Sequence, residues 1–183
     1  MNFKLHSREP KNQSPQDIKQ FERLNDFFLL DEGSIINKID AFPKYASRQA
    51  LAKFLTKYEI FQKILHVNGS IVEAGVLHGG GTLAWAKLSS ILEPTNHTRK
   101  IIGFDTFAGF PSINDKDKKG TDGSLLRIGE LKGSAQKSVT EAVSIYDENR
   151  PLNHIPKVEL VEGDIVHTAP AYIKENPHLV ISM

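Results

Sequence analysis

A short apolar run that ends in an acid and then turns through four glycines leaves a chain few ways to fold. In Ile71–Thr82, IVEAGVLHGGGT, a strand-like stretch from Ile71 to Glu73 passes Gly75 and reaches Gly79, Gly80 and Gly81. Helix-like sequence follows from Leu83 to Leu92. Glycine at a strand-to-helix turn removes side chains where the backbone must bend sharply or approach a ligand. The helix that follows presents unpaired N–H groups and the positive end of its dipole. Together these make the layout of a nucleotide-type cofactor site at the carboxyl end of a parallel strand.

The rest of the chain repeats that alternation. Ser14 and Pro15 suit the start of a helix whose apolar stripe is Ile18, Phe21, Leu24, Phe27 and Phe28, with Gly33 ending it. A linker containing Pro43 follows. Ser47 then caps a second helix with Leu51, Phe54, Leu55, Tyr58, Phe61, Ile64 and Leu65 along one face. A second strand, Ile101 to Phe104, runs into Asp105, and a third, Val158 to Val161, runs into Glu162-Gly163-Asp164. Between them, Ala108 to Lys137 is loop-like, and Ser138-Val-Thr-Glu141 has the capping-box pattern of a helix start. Thr168 suits the cap of a short helix that stops before Pro177, and Leu179 to Ser182 reads as a fourth strand. Strands alternating with helices define an α/β fold, a Rossmann-like doubly wound parallel sheet with N-terminal helices. The expected division is an N-terminal helical extension over 1–46 and a cofactor-binding domain over 47–183. Because the last apolar run has barely begun when the sequence stops, truncation after the fourth strand is expected, with a final edge strand or a naturally short protein as alternatives.

Three strand ends carry acids: Glu73, Asp105 and Asp164. A parallel sheet delivers them to one edge, where a ligand crevice lies. Asp105, at the end of the strand next to the glycine turn, is placed to accept hydrogen bonds from the vicinal hydroxyls of a ribose. Asp164 is placed to accept from the exocyclic amine of an adenine, or is simply the acid of a Gly-Asp turn. The glycines are spaced E-x-G-x-x-x-G-G-G, which is neither the dinucleotide fingerprint nor a Walker loop. S-adenosylmethionine, which has no phosphate, suits them better.

These motifs resemble a known family. IVEAGVLHGGGT, IIGFDTFAGFP and the VELVEGDI segment with Pro170 are together similar to the macrocin O-methyltransferase (TylF-like) family of class I methyltransferases, over roughly Arg48 to Met183. The resemblance implies methyl transfer from S-adenosylmethionine to a hydroxyl of a small molecule or sugar. It implies that Glu73, Gly75, Gly79, Gly80, Gly81 and Thr82 line the methionine and ribose end of that cofactor. By the same resemblance Asp105 holds the ribose beside Thr106 and Phe107, and Gly163 and Asp164 lie near the adenine. It further implies Mg2+ in a complete form, whose ligands follow the fourth strand and are not present in this chain.

Composition narrows the partners. Of 183 residues none is cysteine, which excludes disulfides and a thiol nucleophile. A formal net charge of +1 points to no nucleic acid or membrane surface. No apolar run approaches the roughly 20 residues needed to span a bilayer, and the polar first residues lack the core of a signal peptide, so a cytoplasmic location is expected. His78 and His167 border the glycine turn and the third strand end, but neither has a spacing that makes it a catalytic base, and none is named. The long loop is expected to act as a lid over the acceptor. The stripe on the first helix suits either a cover for the pocket or the seam of a homodimer. The rival readings are an NAD-dependent oxidoreductase and a truncated, non-catalytic cofactor-binding module.

Overall fold

The computed structural model describes residues 14–114 and 127–183. The expectations for the first thirteen residues, and for 115–126 within the long loop, lie outside the described residues. Among the described residues the sheet has three parallel strands, β1 (Ile71–Ala74), β2 (Ile101–Asp105) and β3 (Val158–Glu162), in the order β1-β2-β3. The register sets Glu73 beside Gly103 and Asp105 beside Glu162, so the acid-bearing ends lie along one edge.

Strand pleating sends alternate side chains to opposite faces. On one face Ile71 and Ile101 pack with Phe61 of α3 (Arg48–Ile64), Trp85 and Leu88 of α4 (Gly80–Leu92), and Tyr146 of α5 (Gln136–Glu148). On the other face Val72, Ile102, Phe104 and Val161 pack with Tyr172 of α6 (Ile165–Glu175). Ile101, Ile102, Gly103 and Phe104 are all buried because β2 has a strand on each side and helices on each face. Helices on both faces make the sheet doubly wound. The C-terminal run returns along the free edge of β1. Ser70 N–H donates to Val180 O at 2.7 Å, Ser182 N–H donates to Ser70 O at 2.9 Å, and Ser70 bridges Ile181 in parallel. The expected fourth strand is thus present as a bridge and its flanking hydrogen bonds, not as a full strand.

Several boundaries differ from the sequence reading. Helix α4 begins at Gly80, not Leu83, because Gly79 at φ 78° closes the turn one step before it. The capping box at Ser138 is not used. α5 starts at Gln136, after Gly133 and Ser134 have docked on the glycine turn, and Ser138 lies inside the helix. Asp164, not Thr168, caps α6: its Oδ1 accepts from Val166 N at 3.0 Å, and the Thr168 hydroxyl turns back onto Asp164 O. Pro170 lies inside α6. The supposed linker contains α2 (Ile35–Asp40), capped by Ser34, and a 3-10 turn over Phe42–Lys44. α1 (Pro15–Leu30) starts as expected, with Ser14 and Asp17 in a reciprocal capping box. It ends at Leu30, ahead of Gly33, with Asp31 as its cap, and the Tyr45 hydroxyl and Lys44 both hold the Asp31 carboxylate. These contacts keep that carboxyl below its ordinary pKa, the Tyr45 hydrogen bond being the larger cause.

Arg99, only 2% exposed, joins the parts. Its Nε donates to Glu93 Oε1 at 2.7 Å, Nη1 to Gly69 O and Ser182 Oγ, and Nη2 to Ile64 O and Val67 O. All five guanidinium donors are therefore used. Arg99→Met removes the counter-ion of Glu93 and one donor from each of four other oxygens, and we expect a loss of about 3–5 kcal/mol in urea unfolding. Arg99→Lys recovers little of it, because an ammonium has three donors at one point instead of a planar fork. A loss under about 1 kcal/mol for Arg99→Met would show that the junction does not need the clamp.

Candidate functional site

The carboxyl edge of the sheet is built around two turns that the same carboxylate holds. After β1 the chain passes Gly75 at φ 88°, Leu77 at φ 54° and Gly79 at φ 78°; after β2 it passes Phe107 at φ 51°. A left-handed conformation is costly for side chains such as Leu and Phe. Asp105 meets both. Its Oδ2 accepts from Leu77 N at 2.8 Å and its Oδ1 from Phe107 N at 2.8 Å. Each carboxylate oxygen keeps a second lone pair, so Asp105 has acceptor capacity left for a ligand.

Glu73 points the other way, under the start of α4. Its Oε2 accepts from the Thr82 hydroxyl at 2.5 Å, and Thr82 is fully buried. A Cβ on Gly81 would overlap Glu73 Oε1, so glycine there is what lets the acid lie beneath the helix. By contrast, nothing lies within 4 Å of where a Cβ would stand on Gly75 or Gly80. Those two glycines face open space.

A crevice of about 370 Å3 opens between the turns. Gly75, Asp105, Thr106, Gly163 and Asp164 line it, and Phe110, Leu131 and Ile165 supply apolar walls. Of the residues singled out from sequence, Glu73, Gly79, Gly80, Gly81, Thr82 and Phe107 are not in that lining. Phe107 is buried against Val76 and Val139, and Gly79 abuts Val139. Thr106 closes its own turn, donating to Gly109 O at 2.5 Å, while Gly163 N–H donates to Asp105 O at 2.9 Å. His78 and His167 do not line the crevice; His78 Nδ1 is 3.0 Å from Ser134 Oγ.

A hollow of about 450 Å3 lies at the opposite, amino edge, between Ser70, Lys100 and Tyr172. It touches no strand's carboxyl end, and the Tyr172 hydroxyl there is spent on Glu159 Oε2 at 2.8 Å. The carboxyl-edge crevice is the one at the place where open parallel sheets bind ligands. No group of three or more His, Cys, Asp or Glu able to hold a metal lies among the described residues.

Sequence reasoning missed two contributors. The segment ahead of α5 clamps the glycine turn from outside, with Ser134 N–H donating to Leu77 O at 3.0 Å and Gly133 set against that carbonyl. Lys57 of α3 reaches within 3.9 Å of Glu73 Oε1 and 4.8 Å of the Trp85 ring centroid. Its signal was a lysine four residues before Phe61 on a helix face otherwise apolar.

Comparison by sequence finds no matching protein family and no similar curated protein. Comparison of structures does find likeness. One solved structure, "Crystal Structure of CalS11, Calicheamicin Methyltransferase", is 27% identical with a TM-score of 0.88, over 96% of this chain and 70% of that one. A second, an apo structure of CalS11 described as a TDP-rhamnose 3'-O-methyltransferase, is 24% identical with a TM-score of 0.77, over 96% of this chain and 68% of that one. The chain therefore has an O-methyltransferase fold, and the likeness supports a methyltransferase. It does not extend to the macrocin family in particular, so the resemblance read from the motifs holds only at that broader level.

Asp105→Ala removes the acceptor from two N–H groups in strained turns, and an unfolding loss of about 2–4 kcal/mol is expected in urea. Asp105→Asn, with a single acceptor oxygen, is expected to lose about half as much. Wild-type stability in both variants would show that the turns do not depend on this carboxylate.

Proposed function

We propose that this chain binds S-adenosylmethionine at the carboxyl edge of its sheet and takes part in methyl transfer to a hydroxyl of a small molecule, a sugar or nucleotide-linked sugar being the favoured class. The observation that carries the reading is the crevice in which Gly75, Asp105 and Gly163-Asp164, from three successive strand ends, meet. Its volume and largely apolar walls suit a nucleoside-sized ligand. The open space over Gly75 and Gly80 leaves the backbone free to meet a ligand. The likeness to a sugar-nucleotide O-methyltransferase supports the hydroxyl acceptor.

When bound, the cofactor supplies an electrophilic methyl group on a sulfonium. The chain's own residues would hold and orient it. Asp105 has lone pairs left for ribose hydroxyls, and Asp164 keeps one oxygen beyond the one its helix cap uses. Phe110, Leu131 and Ile165 exclude water from an aromatic base. Holding methyl carbon and acceptor oxygen in line is the main contribution a protein makes to such a displacement.

Isothermal calorimetry of the full chain tests the reading. S-adenosylhomocysteine is expected to bind with a Kd of about 1–100 μM, and NAD+ to give no heat of binding. Methyl transfer is then followed from labelled S-adenosylmethionine to a panel of nucleotide-linked sugars. Binding of NAD+ without S-adenosylhomocysteine would replace this reading with an oxidoreductase.

A further inference from the structure

We infer that Lys57 receives the carboxylate of the cofactor's amino-acid end, forming with Glu73 a paired receptor for a zwitterion; this rests on the cofactor reading above. One helical turn before the buried Phe61, Lys57 sits on the inward face of α3, so its side chain is led toward the sheet rather than into water. Only 27% of that side chain is exposed. The ammonium lies 4.8 Å from the centroid of the Trp85 ring, a position that attracts a cation without satisfying its hydrogen bonds.

Glu73 does not satisfy them either. Its Oε1 is 3.9 Å from Lys57 Nζ, an ion pair too long for a hydrogen bond. Among the described residues Lys57 donates no hydrogen bond, and Glu73 accepts only the one from Thr82, at Oε2. Three donors and one carboxylate oxygen are thus left unspent side by side, both partly removed from water. An α-amino acid carries the complementary set, an ammonium with donors for Glu73 and a carboxylate with acceptors for Lys57. Opposite charges this close fix the direction in which a zwitterion docks. Glu73 is two residues ahead of Gly75, which lines the crevice, and the neighbouring Gly80 faces open space. An adenosyl group in the crevice would therefore lie on one side of the glycine turn and its amino-acid tail would run toward the pair.

The experiment measures calorimetric affinity of the full chain for two probes. S-adenosylhomocysteine has both charges; its decarboxylated analogue keeps the adenosyl group, thioether and ammonium but lacks the carboxylate. Lys57→Met preserves stem volume over Trp85 and is expected to weaken S-adenosylhomocysteine about 10- to 100-fold, the range for a hydrogen bond to a charged group. The same variant should bind the decarboxylated analogue as wild type does, and Lys57→Arg should restore most of the loss. Equal weakening of both probes would overturn the proposal, since Lys57 would then act through the fold, and so would unchanged affinity for both. If wild type binds neither probe, the cofactor reading itself fails, an outcome distinct from any that concerns Lys57.

Discussion

The buried guanidinium of Arg99 is the constraint on which the rest of this fold depends. It closes the amino edge of the sheet by tying the end of α3, the turn into β1, the cap of α4 and the C-terminal run to the start of β2. A charge that is 2% exposed is stable only with its counter-ion and acceptors in place. Glu93 is held for that task in turn, accepting from Ser89 Oγ and from Asn96 Nδ2 at 2.8 Å each. With the amino edge fixed, the carboxyl ends of all three strands emerge in a set register, which is what lets acids far apart in sequence share one crevice. The two edges thus have separate tasks. One is tied together by the hydrogen bonds of Arg99, and the other keeps acceptors and open glycine backbone available.

Within the site, residues of the same type act differently. Gly79 accommodates a left-handed turn, Gly81 makes room for a carboxylate, and Gly80 faces space. Of the acids, Asp105 binds two backbone turns together, Asp164 caps a helix, and Glu73 lies beneath α4 beside a lysine. Each acid thus has a structural partner and some unused acceptor capacity. This double use has a consequence for mutagenesis. Loss of ligand binding after substitution at Asp105 has to be compared with the stability of the same variant before it is assigned to a lost ligand contact. Lys57 is different, because its charge partner among the described residues, Glu73, is too distant for a hydrogen bond.

Much of this was legible in the sequence, and the misses have physical causes. The strands were readable because buried parallel strands are short, apolar and bounded by turn residues; Ile101 to Phe104 ending in Asp105 is the clearest case. The edge at which the acids meet followed from parallel topology alone. Helix starts were less readable where tertiary contacts decide them. Ser138 has the local chemistry of a cap, but with Gly133 and Ser134 packed on Leu77 the cap falls three residues earlier, at Ala135. α2 was hidden because Ile35, Ile36 and Ile39 occupy a single turn and a half, too short for periodicity to emerge. The two turns that meet on Asp105 were not readable at all, since nothing in the identities of Leu77 and Phe107 announces a positive φ.

The position of Lys57 follows from the packing of α3. A helix that precedes the first strand could lie anywhere over the sheet, yet Phe61 packs with Ile71, Trp85 and Ile101, so this one is fixed in rotation at that point. Residues one turn earlier must then face the start of α4, where Glu73 lies under Gly81. An apolar residue at 57 would cover Trp85 and leave the Glu73 carboxylate, 16% exposed, with no cation beside it. A lysine there balances that charge, with its ammonium 3.9 Å from Oε1, beyond hydrogen-bond range. The two side chains are therefore close enough to lower the cost of burying each charge, and far enough apart for a ligand with both charges to bind each more closely than they bind each other. If Lys57 acts as proposed, the helix before the sheet belongs to the binding site, though no motif marks it.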